Sequence, residues 1–278
     1  NSVDCSNYNS FPEIKHILDS PGKMVRSTFA FITHSLKEET SHQSLIQLLI
    51  IIELIQTASV IHDDIIDKSL YRRGKKTVFS EYGLDAALLL GDYFIFIVMK
   101  LISDIDADGN KKDALLSSIS KCLLNMYEGQ RAESMLVGNC TISEDDYVKI
   151  IGNKTSAFVS MSCELGSILA GADSDYRNWV RNYGYNVGVA YQILDDLKSI
   201  LYLYDNNRDK SYQTDFERRL VTLPVIIAFR FSNEEERKIL SNHYLGNESN
   251  SDIVISLISS DMVISEVKGV IESYIIKA

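Results

Sequence analysis

The stretch ASVIHDDIIDKSLYRRGKKT, residues 58–77, joins an acidic cluster to a basic one. Three aspartates fall within five residues, and two arginines, a glycine and two lysines follow them. In a helix, Asp63 and Asp67 lie on one face, because residues four positions apart lie one above the other. Like charges so placed repel each other and need a counter-ion. The two candidates are a divalent metal and the basic cluster that begins at Arg72.

The composition indicates a globular protein with a local rather than a general positive charge. Of its 278 residues, 45% are hydrophobic, so the chain can bury a sizeable core. No low-complexity linker divides it, and we expect a single domain over residues 1–278. The net charge of −10 argues against binding to nucleic acid or to an anionic membrane, since both need excess Lys and Arg. An anionic substrate therefore requires a local basic site.

The longest apolar run and the cysteines bear on location. The run SLIQLLIIIELIQTASVIH at 44–62 is interrupted by Gln47, Glu53 and Gln56. It lacks the uninterrupted apolar span of a membrane helix, so we expect a buried helix and no transmembrane segment. The cysteines are scattered without a CxxC motif, which favours a reducing, cytoplasmic compartment. They are Cys5, Cys122, Cys140 and Cys163.

The periodicity of the chain is helical throughout. Apolar residues recur at three- and four-residue spacing, which predicts an all-α fold with almost no strand. Two helix starts carry capping residues: Thr141 or Ser143 precedes an acidic turn, and Ser232 precedes Glu235 as in a capping box. The predicted helices cover residues 10–34, 41–68, 82–103, 111–136, 143–171, 175–204, 215–231, 232–243 and 250–276.

A second adjacent aspartate pair lies in YQILDDLKSI, residues 191–200. One acidic pair on a helix is more often a solvated face than a metal site. Two such pairs, each after a long apolar stretch, could face one another across a helical cavity and hold one metal-bound ligand. Carboxylate oxygens suit Mg²⁺, which commonly sits between protein carboxylates and substrate phosphates. His62 is the neighbouring histidine, and we expect it to pack or to orient a carboxylate.

Basic residues supply the other half of a polyanion site. Arginine can grip phosphate oxygens with two parallel hydrogen bonds, whereas lysine acts as a point charge. Two basic sets and two acidic sets would suit two phosphorylated substrates, one of them held through metal. The candidate cations are Lys23, Arg26, Arg72, Arg73, Lys154 and Lys210.

In these motifs and their order, the sequence resembles the all-trans polyprenyl diphosphate synthases. The matching pieces run over nearly the whole chain: GKMVR (22–26), IELIQTASVIHDDIIDKSLYRRGKKT (52–77), LLLGDY (88–93), GQRAE (129–133), KTSAF (154–158), YQILDD (191–196) and DKSYQTDFERRLVTLP (209–224). The resemblance implies an isoprenoid-synthase-type bundle of antiparallel helices around a deep central cavity, usually in a homodimer. It implies head-to-tail condensation of isopentenyl diphosphate with an allylic diphosphate, supported by Mg²⁺.

The resemblance also implies roles for individual residues. Asp63, Asp67 and Asp195 would coordinate magnesium, with Asp64 and Asp196 supporting them. Arg72, Lys154 and Lys210 would hold the allylic diphosphate. Lys23, Arg26 and Arg73 would hold isopentenyl diphosphate, while Thr155 and Gln192 would line the reacting end.

Product length should depend on the residues that precede the first aspartate motif. In the family, bulky aromatics four or five residues before the first aspartate stop growth early. Ser59 and Ala58 occupy those places here and leave the path open, so we expect a medium- or long-chain product, geranylgeranyl or longer. Phe94 or Phe96, in the next helix, could form a floor.

Three positions depart from the family pattern. Ser199 stands where the second motif ordinarily ends in an aspartate, and Gln56 replaces a histidine near isopentenyl diphosphate. Leu220 stands where a lysine is usual, although Arg218 or Arg219 could reach the same phosphate. The expected function is an active synthase. The alternative is a catalytically weak regulatory or partner subunit of a heteromeric enzyme.

Overall fold

The computed structural model describes residues 11–19, 22–36, 42–204 and 214–278. The all-α fold is confirmed, and one small hairpin is added to it. The helices are α1 Pro12–Leu18, α2 Val25–Ser35, α3 His42–Ile66, α4 Val78–Asp104, α5 Gly109–Glu133, α6 Glu144–Ile151, α7 Ala157–Leu169, α8 Ser174–Tyr204, α9 Thr214–Glu217, α10 Leu223–Phe231, α11 Glu234–Leu245, α12 Ser251–Ile258 and α13 Asp261–Lys277.

The contacts divide the chain into two compact units. Unit 1 comprises Asn1–Leu116 and Leu165–Asp173, and unit 2 comprises Ser117–Glu164 and Ser174–Ala278. Each has its own apolar core, which is the main source of its stability. The expectation of a single domain over the whole chain stays a prediction.

Unit 1 is built on the pairing of α3 with α4. Between the two helices and α1 lies a buried apolar cluster that holds the last turns of α3 in place: Ile14, Ala58, Ile61, Val78, Ala87, Leu90 and Phe94. By length and composition, α3 and α4 could each cross a membrane, although the buried core helices of soluble proteins meet the same criteria. The expected absence of a transmembrane segment stays a prediction.

The basic stretch after α3 forms a hairpin that the sequence prediction missed. Strand β1, Tyr71–Arg72, pairs with strand β2, Lys75–Lys76, in antiparallel register. Both turn residues, Arg73 and Gly74, have positive φ, at 53° and 76°. That is the geometry of a two-residue type I′ turn, whose twist matches that of the paired strands. The RRGKK stretch is thus an ordered ribbon rather than a basic loop.

Unit 2 packs the long helix α8 against α13 and against a π-helical segment, Gly152–Ser156. Its core draws on α8, α10, α12 and α13 and includes Ile193, Leu197, Leu223 and Val267. Ser143 caps α6 as predicted, since its side chain accepts a hydrogen bond from the Asp146 amide.

Several predicted boundaries were wrong. The predicted helix 10–34 is two helices, and 250–276 is broken between Ile258 and Asp261. The predicted helix 143–171 is continuous from Glu144 to Leu169, with the π-helical segment inside it. Ser260 precedes the last helix and leaves the helical conformation, with φ −62° and ψ 150°. The predicted capping box lies one residue later, because Asn233 rather than Ser232 caps α11 and its reciprocal partner is Glu236.

Candidate functional site

The first aspartate motif lies at the carboxyl end of α3. Lys68 has a positive φ of 51°, and the amides of Ser69 and Lys68 donate to the carbonyls of Asp64 and Ile65. This is a Schellman motif, which closes the helix just after Asp67. The Asp67 amide still donates to the Asp63 carbonyl at 2.8 Å, so the helical turn continues between them. The predicted placement of Asp63 and Asp67 on one helical face is confirmed.

Asp64, the middle carboxylate, already has a protein counter-ion. Arg72 on β1 contacts its Oδ1 through Nε at 2.9 Å and Nη2 at 2.8 Å. The Asp64 side chain is only 7% exposed. Burial raises the pKa of the Asp64 carboxyl above its ordinary value, and the Arg72 charge partly offsets that rise. Two counter-ions were considered for the acidic cluster, a divalent metal and the basic residues after it. Asp64 is paired with the second, through Arg72 of the hairpin.

The chemistry around Asp63 and Asp67 suits a cation. Both are half-buried at the end of α3. The partial negative charge of the helix carboxyl terminus lies beside their carboxylates, and both favour a bound cation. Within the described ranges, no three His, Cys, Asp or Glu side chains come together as a complete metal site. Asp63 and Asp67 thus offer two carboxylates, in keeping with the few protein ligands that Mg²⁺ usually takes beside substrate phosphates.

A second part of unit 1 brings together residues predicted for isopentenyl diphosphate. A Cβ built on Gly22 would lie 3.7 Å from Glu53 Oε2 and 3.8 Å from Arg73 Nη1. Ser27, on the first turn of α2, donates to Glu53 Oε1 at 2.6 Å. The hairpin turn and the start of GKMVR are therefore neighbours. Exposed Lys23 and half-buried Arg26 flank the start of α2.

Gln56 lies on α3 one turn after Glu53. Its Oε1 is buried and has no hydrogen-bond partner among the described residues. A buried amide oxygen without a donor costs stability, so it marks a place where a ligand or water can complete the hydrogen bonding. The predicted role of Gln56 near a substrate stays a prediction that this orphaned atom supports.

The residues proposed to control chain length differ in their surroundings. Ala58 is 1% exposed and belongs to the same closed cluster as Phe94, whereas Ser59 is half-buried. Phe96 is 64% exposed. Of the two phenylalanines considered as a floor, only Phe94 packs beside the residues that precede the aspartates.

His62 packs against α4. A Cβ on Gly91 would lie 2.3 Å from His62 Nε2, so a larger residue at this position would displace the imidazole. The same nitrogen is 3.5 Å from Asp92 Oδ1. The glycine and aspartate of LLLGDY therefore hold the residue before the first aspartate, which agrees with the expectation that His62 has a packing role.

In unit 2, the π-helical segment carries Lys154 and Thr155. Such single-turn bulges are frequent at functional sites. Glycines allow two helices to approach its backbone closely: a Cβ on Gly129 would lie 2.3 Å from the Lys154 amide nitrogen, and one on Gly188 would lie 2.6 Å from Ser156 Cα. The glycine of GQRAE is therefore needed to seat α5 against the segment.

Lys154 and Arg218 share one carboxylate. Lys154 Nζ donates to Glu133 Oε1 at 2.7 Å, and Arg218 Nη2 lies 3.8 Å from Glu133 Oε2. The three side chains are 15–28% exposed, so their charges are partly shielded from water. The two cations are thus gathered at one carboxylate, where a diphosphate could approach both of them. The sequence analysis did not single out Glu133, although it ends the quoted GQRAE motif.

Leu220 and Arg219 make different contacts. Leu220 is 4% exposed in the unit 2 core and forms a bridge with Val137. Arg219 has a positive φ of 58°, and its Nη1 would be 2.2 Å from a Cβ on Gly246. Of the two arginines considered as substitutes for the missing lysine, Arg218 is the one beside Lys154.

The second aspartate pair lies in the last third of α8. Asp195 is exposed, whereas Asp196 is 5% exposed. One Asp196 oxygen accepts from the Tyr147 hydroxyl and the other from Gln192 Nε2 at 2.8 Å. Thr155 Oγ1 in turn donates to Gln192 Oε1 at 2.8 Å. The structure thus brings Thr155, Gln192 and Asp196 together and adds Tyr147, which the sequence analysis missed.

Burial dominates the electrostatics of Asp196. It raises the pKa of this carboxyl to about 8, and the nearby charge of Asp215 acts in the same direction. The same burial raises the pKa of Tyr147 well above its ordinary value. Asp196 and Asp215 line a small cavity together with Ser199, Thr222 and Tyr244, among others. Lys210, predicted to bind the allylic diphosphate, lies outside the described residues.

Comparison with known proteins identifies the family. Residues 12–260 match the family model described as polyprenyl synthetase. The all-trans-nonaprenyl-diphosphate synthase (geranyl-diphosphate specific) of Rhodobacter capsulatus is 29% identical over 250 residues, which cover 88% of this chain and 74% of that protein. The short chain isoprenyl diphosphate synthase of Methanocaldococcus jannaschii is 30% identical over 239 residues, covering 86% and 71%.

A solved structure agrees with this assignment. The geranylgeranyl pyrophosphate synthetase of Pyrococcus horikoshii has a TM-score of 0.83 and 26% identity, with 96% of this chain and 81% of that chain covered. The resemblance drawn from the seven motifs is confirmed. With its fold, its motifs and nearly its whole length matched, this chain belongs to the polyprenyl synthetase family.

Proposed function

We propose that this chain is an active all-trans prenyltransferase that condenses isopentenyl diphosphate with an allylic diphosphate to give a medium- or long-chain polyprenyl diphosphate. The observation that carries the proposal is the preserved first motif: Asp63 and Asp67 share a helical face while Arg72 neutralises Asp64. A partner subunit without activity of its own would not need this arrangement. The relatives compared above are both named as synthases.

The metal is proposed to be Mg²⁺. Asp63 and Asp67 would hold it, and Asp195 stays a predicted further ligand. When bound, it would supply positive charge against the negative charge that grows on a leaving diphosphate. The chain's own cations, Lys154 and Arg218, would hold diphosphate oxygens, and their shared partner Glu133 keeps them paired before substrate binds.

Breaking an allylic carbon–oxygen bond releases diphosphate and leaves a carbocation, which the double bond of isopentenyl diphosphate attacks. The new cation then loses a proton, for which the departing diphosphate is the proposed acceptor, and a new double bond forms. Thr155 and Gln192 are proposed to line that reacting end. Lys23, Arg26 and Arg73 are proposed to hold isopentenyl diphosphate, and the proximity of Gly22 to Arg73 supports this grouping. A dry surrounding would keep water from quenching the cation.

The product is proposed to be geranylgeranyl or longer. The two relatives are named for a nonaprenyl and for a short chain product, so their names leave the length open. Ser59 is small and half-buried before the first aspartate, and this supports a long path. Ser59→Phe should shorten the product. Ala58→Phe is a poorer test, because Ala58 is tightly packed and a large side chain there would destabilise unit 1.

We also propose a homodimer in a cytoplasmic compartment. Helix α4 exposes large apolar side chains that a second copy could cover: Leu84, Leu88, Leu89, Phe96 and Met99. Among the described residues, Cys122, Cys140 and Cys163 are not joined in disulfides, which supports a reducing compartment. Sedimentation of the purified protein without detergent should show a dimer, and Phe96→Glu should weaken that dimer. A monomer that co-floats with lipid vesicles in a flotation assay would instead assign this face to a membrane.

The function itself is tested by incubating the purified protein with labelled isopentenyl diphosphate, Mg²⁺ and allylic primers of increasing length. Extracted products are then sized by chromatography. Metal-dependent prenyl products would establish the activity and give the chain length directly. Folded protein that binds both diphosphates but forms no product with any primer would contradict the proposal and favour a partner subunit.

A further inference from the structure

We propose that Tyr147 and Asp196 are positioning residues that fix the amide of Gln192, and through it the hydroxyl of Thr155, in a single proton arrangement. The inference deepens the proposed function and rests on it, since Gln192 and Thr155 are there assigned to the reacting end. It gives Asp196 a different task from metal support. Tyr147 has no role in the assignments made so far.

The contacts form one continuous chain within unit 2. The Tyr147 hydroxyl donates to Asp196 Oδ2, Gln192 Nε2 donates to Asp196 Oδ1 at 2.8 Å, and Thr155 Oγ1 donates to Gln192 Oε1 at 2.8 Å. Tyr147 is fully buried, Asp196 is 5% exposed and Thr155 is 9% exposed. Water therefore has little access to Tyr147, Asp196 and Thr155, and does not compete for the hydrogen bonds between them and Gln192.

The direction of the chain follows from the hydrogen-bonding capacity of each group. Asp196 Oδ1 accepts from the nitrogen end of the Gln192 amide, as a carboxyl oxygen without a proton does in either charge state of the group. This contact turns the amide oxygen toward Thr155. The Thr155 hydroxyl must then give its proton to Gln192. Its oxygen lone pairs are left for other neighbours. If the amide were reversed, Thr155 would have to accept from Gln192 and point its proton elsewhere.

This order matters for a reaction that passes through a carbocation. Lone pairs aimed at growing positive charge stabilise it, whereas a hydroxyl proton aimed at it repels it. Donors and acceptors that are fixed before the reaction need no reorganisation during it. Tyr147 occupies the second Asp196 oxygen and prevents that carboxylate from turning away from Gln192. The Tyr147–Asp196 pair thus acts on the reaction only through Gln192 and Thr155.

The chain offers a matched control for the tyrosine. Tyr244 is also buried, at 2% exposure, and lines the same small cavity as Asp196. The hydrogen bonds to Asp196 that define the chain come from Tyr147 and Gln192. Tyr147→Phe and Tyr244→Phe remove the same atom from similar surroundings. Only the first removes a member of the chain.

The experiment measures kcat, KM and the urea midpoint of unfolding for Tyr147→Phe, Tyr244→Phe, Thr155→Val and the Tyr147→Phe/Thr155→Val double variant. We expect Tyr147→Phe to lower kcat about tenfold and to leave KM nearly unchanged. A tenfold fall is about the effect of losing one hydrogen bond that stabilises the transition state. Tyr244→Phe should keep the wild-type kcat. In the Thr155→Val background, Tyr147→Phe should have little further effect, because the chain is already broken.

Three results would overturn the inference while leaving the function intact: an active wild type with unchanged kcat in Tyr147→Phe, an equal fall in Tyr244→Phe, or fully additive effects in the double variant. A fall in kcat that only follows a fall in the urea midpoint would also overturn it, since that is a packing effect. A folded wild type that forms no prenyl product removes the proposed function and the positioning role together, which distinguishes the two failures.

Discussion

The Asp63–Asp64 pair of unit 1 and the Asp195–Asp196 pair of unit 2 are the same dipeptide in two different settings. In each pair the second aspartate is buried, at 5% exposure, and bound by protein donors. In each, the first is more accessible. The supports differ, since Asp64 has the cation of Arg72 whereas Asp196 has the neutral groups of Tyr147 and Gln192.

The difference between these supports shows how surroundings assign roles to identical residues. A cation keeps a buried carboxylate charged, and burial among neutral donors makes protonation easier. The pKa of Asp196 accordingly rises to about 8, while the Arg72 charge works against the rise at Asp64. The first pair is thus organised around fixed charge and the second around hydrogen-bond direction. Four substitutions test this contrast.

The largest effect is expected at Asp63, the accessible carboxylate of the first pair. Asp63→Ala should lower kcat/KM by roughly a thousandfold or more, because it removes a proposed ligand of the cation that stabilises the leaving diphosphate. The measurement is turnover over a range of Mg²⁺ concentrations, with Asp85→Ala on α4 as an exposed control. Unchanged turnover and unchanged Mg²⁺ dependence would show that the first pair has no metal role.

The next effect concerns Ser199, which follows the second pair. From the family pattern alone, Ser199→Asp should leave the rate the same or raise it. Ser199, however, is 8% exposed and lines a cavity with Asp196 and Asp215. A third carboxylate there would be buried beside two others, so we expect a loss of about 2 kcal/mol in the free energy of unfolding.

Urea denaturation of Ser199→Asp against Ser199→Ala separates the new charge from the lost hydroxyl. Ser199 donates to the Asp195 carbonyl at 3.1 Å, and the alanine variant measures the value of that bond. An aspartate variant as stable as the alanine variant would mean that the cavity tolerates charge. The surroundings of Asp196 would then not need to be neutral, which contradicts the contrast with Asp64.

The sequence predicted the first pair better than the second for a physical reason. The first depends on local spacing: Asp63, Asp67 and Arg72 lie within one short stretch, and helical geometry alone relates the two aspartates. The second depends on Tyr147 and Thr155, which reach Gln192 and Asp196 from elements distant in sequence. Periodicity carries no information about such contacts, and it also smooths over the π-helical segment that carries Thr155.

Arginines 218 and 219 give a smaller test of unit 2. We expect Arg218→Ala to raise KM for the allylic diphosphate about tenfold, since it removes one charge-assisted contact beside Lys154. Arg219→Ala should leave KM unchanged, because Arg219 lies against Gly246 instead. Steady-state kinetics with a fixed primer checks both. Equal effects of the two variants would show that general positive charge, rather than the Glu133 cluster, attracts the substrate.

The smallest effect is expected at the counter-ion of the first pair. Arg72→Ala leaves the buried Asp64 carboxylate without its cation, but Arg72 is 42% exposed and solvent screens the pair. We therefore expect a loss of only about 1 kcal/mol in the free energy of unfolding. Adding Asp64→Asn to this variant should restore most of that loss, because the uncompensated charge is then gone. If the double variant is no more stable than Arg72→Ala, Arg72 does not serve as the counter-ion, and the charged character assigned to the first pair would have to come from another group.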